Sequence, residues 1–186
     1  MRKLAKPQAA DGAPLLFLIG ARGTGKTTVA RLLAAHLRWT WIDADDALEK
    51  RFGQSIRDLF AQEGEAGFRD REAQMLADLC ERRQHVIATG GGVVLRADNR
   101  QRLRQAGQVV WLTADPVTLW QRLQGDPATA ERRPNLSVGG VAEIEEILQR
   151  REPLYRACAD WIVSTAERSP EEVAAVVLAQ LPALLE

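Results

Sequence analysis

Residues 20–27 read GARGTGKT and fit the pattern GxxxxGK[ST] without a mismatch. Glycines at that spacing let a loop wrap tightly, so that several backbone N–H groups face one anion. A helix starting directly behind the loop adds its positive end. Lys26 can then bridge the β- and γ-phosphates of a nucleotide, and the Thr27 hydroxyl can bind Mg²⁺. Gly23, Thr24, Gly25 and Thr28 complete the expected cradle. A second group of candidates lies at Asp43 and Asp45. One carboxylate can hold Mg²⁺ through water and the other can take a proton from an attacking hydroxyl. Either can instead cap the next helix. Gly90, Gly91 and Gly92 allow backbone to approach a ligand closely. Arg69 and Arg151, and Arg132 with Arg133 in a polar, proline-containing stretch, can bind anionic groups, although a lone arginine is more often a solvated surface group.

These residues need a scaffold, and the hydrophobic pattern supplies one. Continuous apolar runs predict five strands, at Leu15–Ile19, Trp39–Ile42, His85–Ala88, Gln108–Leu112 and Trp161–Val163. Helical spacing predicts helices over Thr27–Leu37, Ala44–Arg51, Ile56–Gln62, Ala66–Arg83, Asp98–Gln105 and Val141–Ala157. Asp115-Pro116 and Ser169-Pro170 each open another helix, with a capping residue followed by proline at the first position. Gly125–Ser137 is polar, carries Pro127 and Pro134, and reads as a loop. Strands alternating with helices imply an α/β sandwich around a parallel sheet. In such sheets ligands bind beyond the carboxyl ends of the strands, which is where the phosphate loop, Asp43 to Asp45 and the triple glycine all fall.

The bulk properties narrow the field. The 186 residues suffice for one domain, and Lys plus Arg equals Asp plus Glu at 25 each, which argues against a whole-surface nucleic-acid role. Cys80 and Cys158 lie far apart with no metal-binding spacing and read as reduced thiols. The longest apolar run is too short to span a membrane, so no membrane role and a cytoplasmic location are expected. Residues 1–13 read as a flexible tail and 14–186 as a single domain. His36 and His85 carry no triad or metal spacing, and the five tryptophans read as core or surface-patch residues.

Taken in order, GARGTGKTT, the Asp-x-Asp at 43–45, GQSIRDLFAQEGEAGFRDRE, GGGVV, RRPNL and RREPLY resemble the shikimate kinase family from about Leu15 to Leu181. The resemblance implies a three-layer α/β/α sandwich with a central five-stranded parallel sheet, like the P-loop nucleoside monophosphate kinases. It implies transfer of the ATP γ-phosphate to the 3-hydroxyl of shikimate by a monomer using Mg²⁺, within chorismate and aromatic amino acid biosynthesis. Lys26, Asp45 and Arg133 would be catalytic, with Asp45 bonded to the reacting hydroxyl. Arg69 and Arg151 would clamp the shikimate carboxylate, with Gly90, Gly91 and Gly92 beside the substrate. Thr27 and Asp43 would serve the metal, and Arg122, Arg168 and Pro170 would face the adenine. Helices over about 44–83 would bind the acceptor and a mobile lid over about 123–138 would deliver Arg133. The competing readings are another small-metabolite kinase such as a gluconate kinase, a nucleoside monophosphate kinase, or a nucleotide-binding regulatory module without turnover.

Overall fold

A computed structural model describes residues 15–125 and 140–181. Its centre is β1 (Leu15–Ile19), every residue of which is buried. Side chains alternate across a strand, so β1 feeds two cores at once. Leu15, Phe17 and Ile19 face one apolar cluster and Leu16 and Leu18 face the other. With water excluded from both faces, an unbroken apolar run is what such a strand requires.

β1 pairs with β3 (His85–Ala88) on one side and β4 (Gln108–Thr113) on the other, all parallel. Outside these lie β2 (Thr40–Asp43) and β5 (Trp161–Ser164), giving the order β2-β3-β1-β4-β5. Helices α1 (Lys26–Leu37) and α7 (Pro170–Ala179) cover the face built on Leu16, Leu18, Val110 and Val163. The opposite face packs against α3 (Ile56–Cys80), α4 (Ala97–Ala106) and α6 (Gly140–Cys158). Two shorter helices, α2 (Ala44–Phe52) and α5 (Pro116–Gln124), complete the described residues. The three-layer α/β/α architecture and the five parallel strands agree with the expectation.

Several boundaries differ, each for a local reason. β2 begins at Thr40, because the Trp39 N–H is spent on the Ala34 carbonyl at 2.9 Å, closing α1 through a left-handed Arg38. The expected helices 56–62 and 66–83 form a single element ending at Cys80, with one non-helical residue, Gly64, at φ 68° and ψ −173°. That conformation is essentially restricted to glycine, so the axis kinks where the sequence places one. A 3₁₀ turn at Val93–Leu95 was not foreseen. Its carbonyls are held by side chains of α4: Asn99 Nδ2 donates to Val93 O at 3.1 Å and Arg100 Nη1 to Val94 O at 2.6 Å. Both predicted proline openings are present: Asp115 accepts from the Thr118 N–H, and Ser169 with Glu172 forms a reciprocal capping box. No described helix is long and apolar enough to cross a membrane. The predicted tail, and the part of the predicted lid holding Arg132 and Arg133, lie outside the described residues.

Candidate active site

The carboxyl ends of β1, β2 and β3 meet, and the candidate residues converge there. After β1 the loop turns through left-handed Gly23 (φ 83°) and Gly25 (φ 80°). Gly20 is needed for another reason: a Cβ there would lie 2.2 Å from the Leu112 carbonyl of β4. The Thr24 hydroxyl donates to Ala21 O at 2.8 Å and holds the loop shut. Lys26 Nζ donates to Gly20 O at 3.0 Å and Ala21 O at 2.8 Å, so its ammonium lies folded over the mouth of the cradle.

Asp43, at the end of β2, serves two elements with two oxygens. Oδ1 accepts from the N–H groups of Asp45 and Asp46 at 3.0 and 3.3 Å, capping α2. Oδ2 accepts the Thr27 hydroxyl at 2.6 Å, reaching the first turn of α1. The capping and metal-site readings therefore do not compete. Burial pushes the Asp43 carboxyl above its usual range; the Thr27 bond opposes this and the neighbouring Asp45 charge adds to it. A cation here would relieve that cost, and a hydroxyl beside a carboxylate is the hard oxygen set that Mg²⁺ takes alongside water.

The triple glycine makes room for side chains. A Cβ on Gly90 would fall 2.7 Å from Asp45 Oδ1 and 3.0 Å from Glu72 Oε1. One on Gly92 would fall 2.3 and 2.5 Å from the two terminal nitrogens of Arg69. The expected purpose was close approach to a ligand; the protein's own side chains from α2 and α3 already fill two of the three positions. Gly91 packs on the phosphate loop, where a Cβ would sit 3.5 Å from both Gly20 O and Arg22 N. The glycine turn and the phosphate loop thus lie side by side.

Arg69 is 8 % exposed, and Nη1 bonds Glu72 Oε2 at 2.8 Å. Its guanidinium lies 5.1 Å from the Phe68 ring centroid, and Phe68 stacks on Phe60. Asp70, its sequence neighbour, points elsewhere and pairs with Arg96 at 2.5 Å. Arg151 reaches in from α6, with Nη1 donating to Gly91 O at 3.2 Å. Asp45, Arg69, Arg151 and Gly90–Gly92 thus form one cluster.

The predicted adenine group is also brought together, around the end of β5. Arg122 Nη1 donates to Gly23 O at 3.2 Å and to Thr165 Oγ1 at 2.9 Å, while Nη2 donates to Thr165 O at 2.8 Å. Arg168 Nη1 donates to Ser164 O at 2.8 Å, and Pro170 is the first residue of α7. In this geometry Arg122 braces the phosphate loop.

Glu72 and Tyr155 also belong to the cluster, although the motifs that hold them point to no role for either. Their spacing was a usable signal. Glu72 follows Arg69 by three positions and Tyr155 follows Arg151 by four, which puts each on the same helix face as its arginine.

Comparison with known proteins separates this arrangement from the other kinases that share the scaffold. The family profile described as shikimate kinase matches residues 22–182. The chain belongs to the shikimate kinase family. A shikimate kinase of Rhodopirellula baltica is 46% identical over 168 residues, covering 90% of each chain. One of Burkholderia lata is 43% identical over 175 residues, covering 94% of this chain and 93% of the relative. Among solved structures, the shikimate kinase from Acinetobacter baumannii in complex with shikimate superposes with a TM-score of 0.86 at 36% identity, covering 94% of this chain and 96% of that one. A gluconokinase from Sinorhizobium meliloti reaches a TM-score of 0.56 at 18% identity, a likeness of fold alone. The family is one of ATP-dependent phosphotransferases acting on an alcohol group.

Proposed function

We propose that the protein transfers the γ-phosphate of ATP to the 3-hydroxyl of shikimate, giving shikimate 3-phosphate and ADP. The observation that carries the reading is a phosphate loop lying beside a turn flanked by two arginines and a carboxylate. A substrate with a ring carboxylate calls for planar guanidinium donors, and Arg69 and Arg151 approach the Gly90–Gly92 turn from separate helices. Asp45, which lies beside Gly90, would accept a hydrogen bond from the reacting hydroxyl and take its proton.

On the nucleotide side, the backbone N–H groups of Gly23 to Thr28 address the phosphates. Lys26 exchanges its bonds to Gly20 O and Ala21 O for phosphate oxygens. Thr27 and Asp43, bonded to each other, would hold a Mg²⁺ ion, which would supply neutralisation of phosphate charge. Arg122, Arg168 and Pro170 bound the adenine side, and Arg133, which lies outside the described residues, is assigned to the phosphates by the family resemblance alone. The reading includes a monomer working in the cytoplasm.

A coupled assay for ADP, run with and without shikimate in saturating ATP and Mg²⁺, tests this. Shikimate-dependent ADP release with formation of shikimate 3-phosphate is expected. Equal or better turnover of gluconate, or of AMP, CMP or UMP, would reject the acceptor. No turnover with any acceptor would favour a regulatory nucleotide-binding role.

A further inference from the structure

We propose that Tyr155 is a positioning residue of the acceptor site, its hydroxyl locking the Gly91 carbonyl and the Arg151 guanidinium into one unit. The inference rests on the function proposed above and adds a residue to which that function assigned no part.

The argument starts from the glycine turn. Three successive glycines have no side chains to fix their peptide planes by packing, and each has a wide choice of backbone angles. The Gly90 and Gly92 carbonyls accept from the Val93 and Leu95 N–H groups at 3.2 and 3.0 Å, which leaves the Gly91 carbonyl to be held from outside the turn. The Tyr155 hydroxyl donates to Gly91 O at 2.5 Å, and Arg151 Nη1 donates to the same oxygen at 3.2 Å. Both lone pairs of that carbonyl are thereby engaged by α6. The described peptides are all trans, so C=O and N–H of one peptide point in opposite directions. Holding Gly91 O against α6 therefore turns the Gly92 N–H away from α6, and it sets the plane of the turn that packs on the phosphate loop.

The anchor itself is rigid. Tyr155 is 0 % exposed and its ring stacks on Trp111 of β4, with centroids 5.6 Å apart. A buried phenol requires a partner, and here the partner belongs to the site. The hydroxyl also lies within electrostatic reach of Arg151, Glu72 and Arg69, so it stands among the groups expected to surround the acceptor. Burial raises its pKa, which keeps it protonated and able to donate. Trp111 and Tyr155 thus carry the position of the sheet core to Gly91 and Arg151.

Tyr155→Phe keeps the ring and its stack and removes only the O–H. The shikimate KM should rise about five- to tenfold, with the ATP KM changed less than about twofold and kcat less than about threefold. A lower melting temperature with the shikimate KM unchanged would make the hydroxyl merely structural and overturn the proposal. A second measurement does not depend on that variant folding. Tyr155 is the chain's single tyrosine, so protein grown on 3-fluorotyrosine carries one fluorine reporter. Saturating shikimate without nucleotide should shift its resonance, and an unmoved signal counts against the proposal. The unsubstituted protein is assayed in parallel. No shikimate 3-phosphate from it would sink the function itself, whereas product formation with an unaltered KM in Tyr155→Phe would sink only the role of Tyr155.

Discussion

Arg69 has a partner before any acceptor arrives. Its bond to Glu72 and its position under Gly92 fix the guanidinium in a buried setting, where a planar fork loses little freedom on binding a carboxylate. Gly92→Ala should therefore act as an Arg69 mutation made from a distance. The new Cβ would overlap the arginine's terminal nitrogens, and the flexible end of that side chain can move aside. The variant should fold, with a shikimate KM about tenfold higher or more and an ATP KM near normal, as read by steady-state kinetics. Lys26→Ala removes a cation from the charge that develops in transfer, and kcat should fall about 10²–10³-fold. Cys80 belongs to a different part of the molecule. Burial pushes its thiol up to about 11, so little thiolate exists near neutrality. Alkylation of the native protein should be slow at neutral pH and should accelerate as pH rises toward that value, measured by mass spectrometry of labelled peptides. The raised value also means that Cys80 favours the folded state at low pH and loses that contribution as pH climbs through the thiol's folded pKa.

At the level of elements, the site is made by helix starts and strand ends. Asp43 joins β2, α2 and α1 through one carboxylate, so its bond to Thr27 and the capping of α2 cannot be separated. The kink at Gly64 divides α3 into a first part, whose Ile56 N–H donates to Glu49 of α2, and a second part that carries Arg69 and Glu72. Gly64→Ala places a side chain in a region of backbone space that only glycine tolerates, at a cost of about 1–3 kcal/mol. Denaturant unfolding should register that loss, and the acceptor KM should rise with it, because the second half of α3 must reorient. Ser169→Ala offers a contrast: it breaks the capping box of α7, costing about 1 kcal/mol. Its acceptor kinetics should stay unchanged.

For the whole molecule, the sheet order places β1 between β3 and β4, so the phosphate loop has the glycine turn on one side and the brace from Arg122 and Thr165 on the other. Gly91 lies close enough to the phosphate loop that a Cβ on it would touch Gly20 O and Arg22 N, so the two segments share one end of the sheet. Ligands that bind only the folded state raise its stability in proportion to occupancy. Mg²⁺–ADP and shikimate at about 100 times their Kd should each add about 2.7 kcal/mol, visible as an upward shift in melting temperature. Excess EDTA should abolish the nucleotide-dependent turnover, and added Mg²⁺ should restore it.

The amino-acid order alone determined the five strands, the phosphate loop and the two proline-led helix starts, and it supplied the identities of the candidate residues. Those features depend on local periodicity and on short motifs whose chemistry requires fixed spacing. What it could not decide was how distant segments share space. That Gly90 and Gly92 yield room to Asp45, Glu72 and Arg69, that Asp43 spends its two oxygens on two helices, and that Asp70 turns to Arg96 are outcomes of packing α2, α3 and α4 against three strand ends. Such contacts join residues far apart in the chain. Their distances are set by the sheet order, which has no local signature, and by the direction of the helix kink, whose position the sequence marks at Gly64 but whose angle it does not.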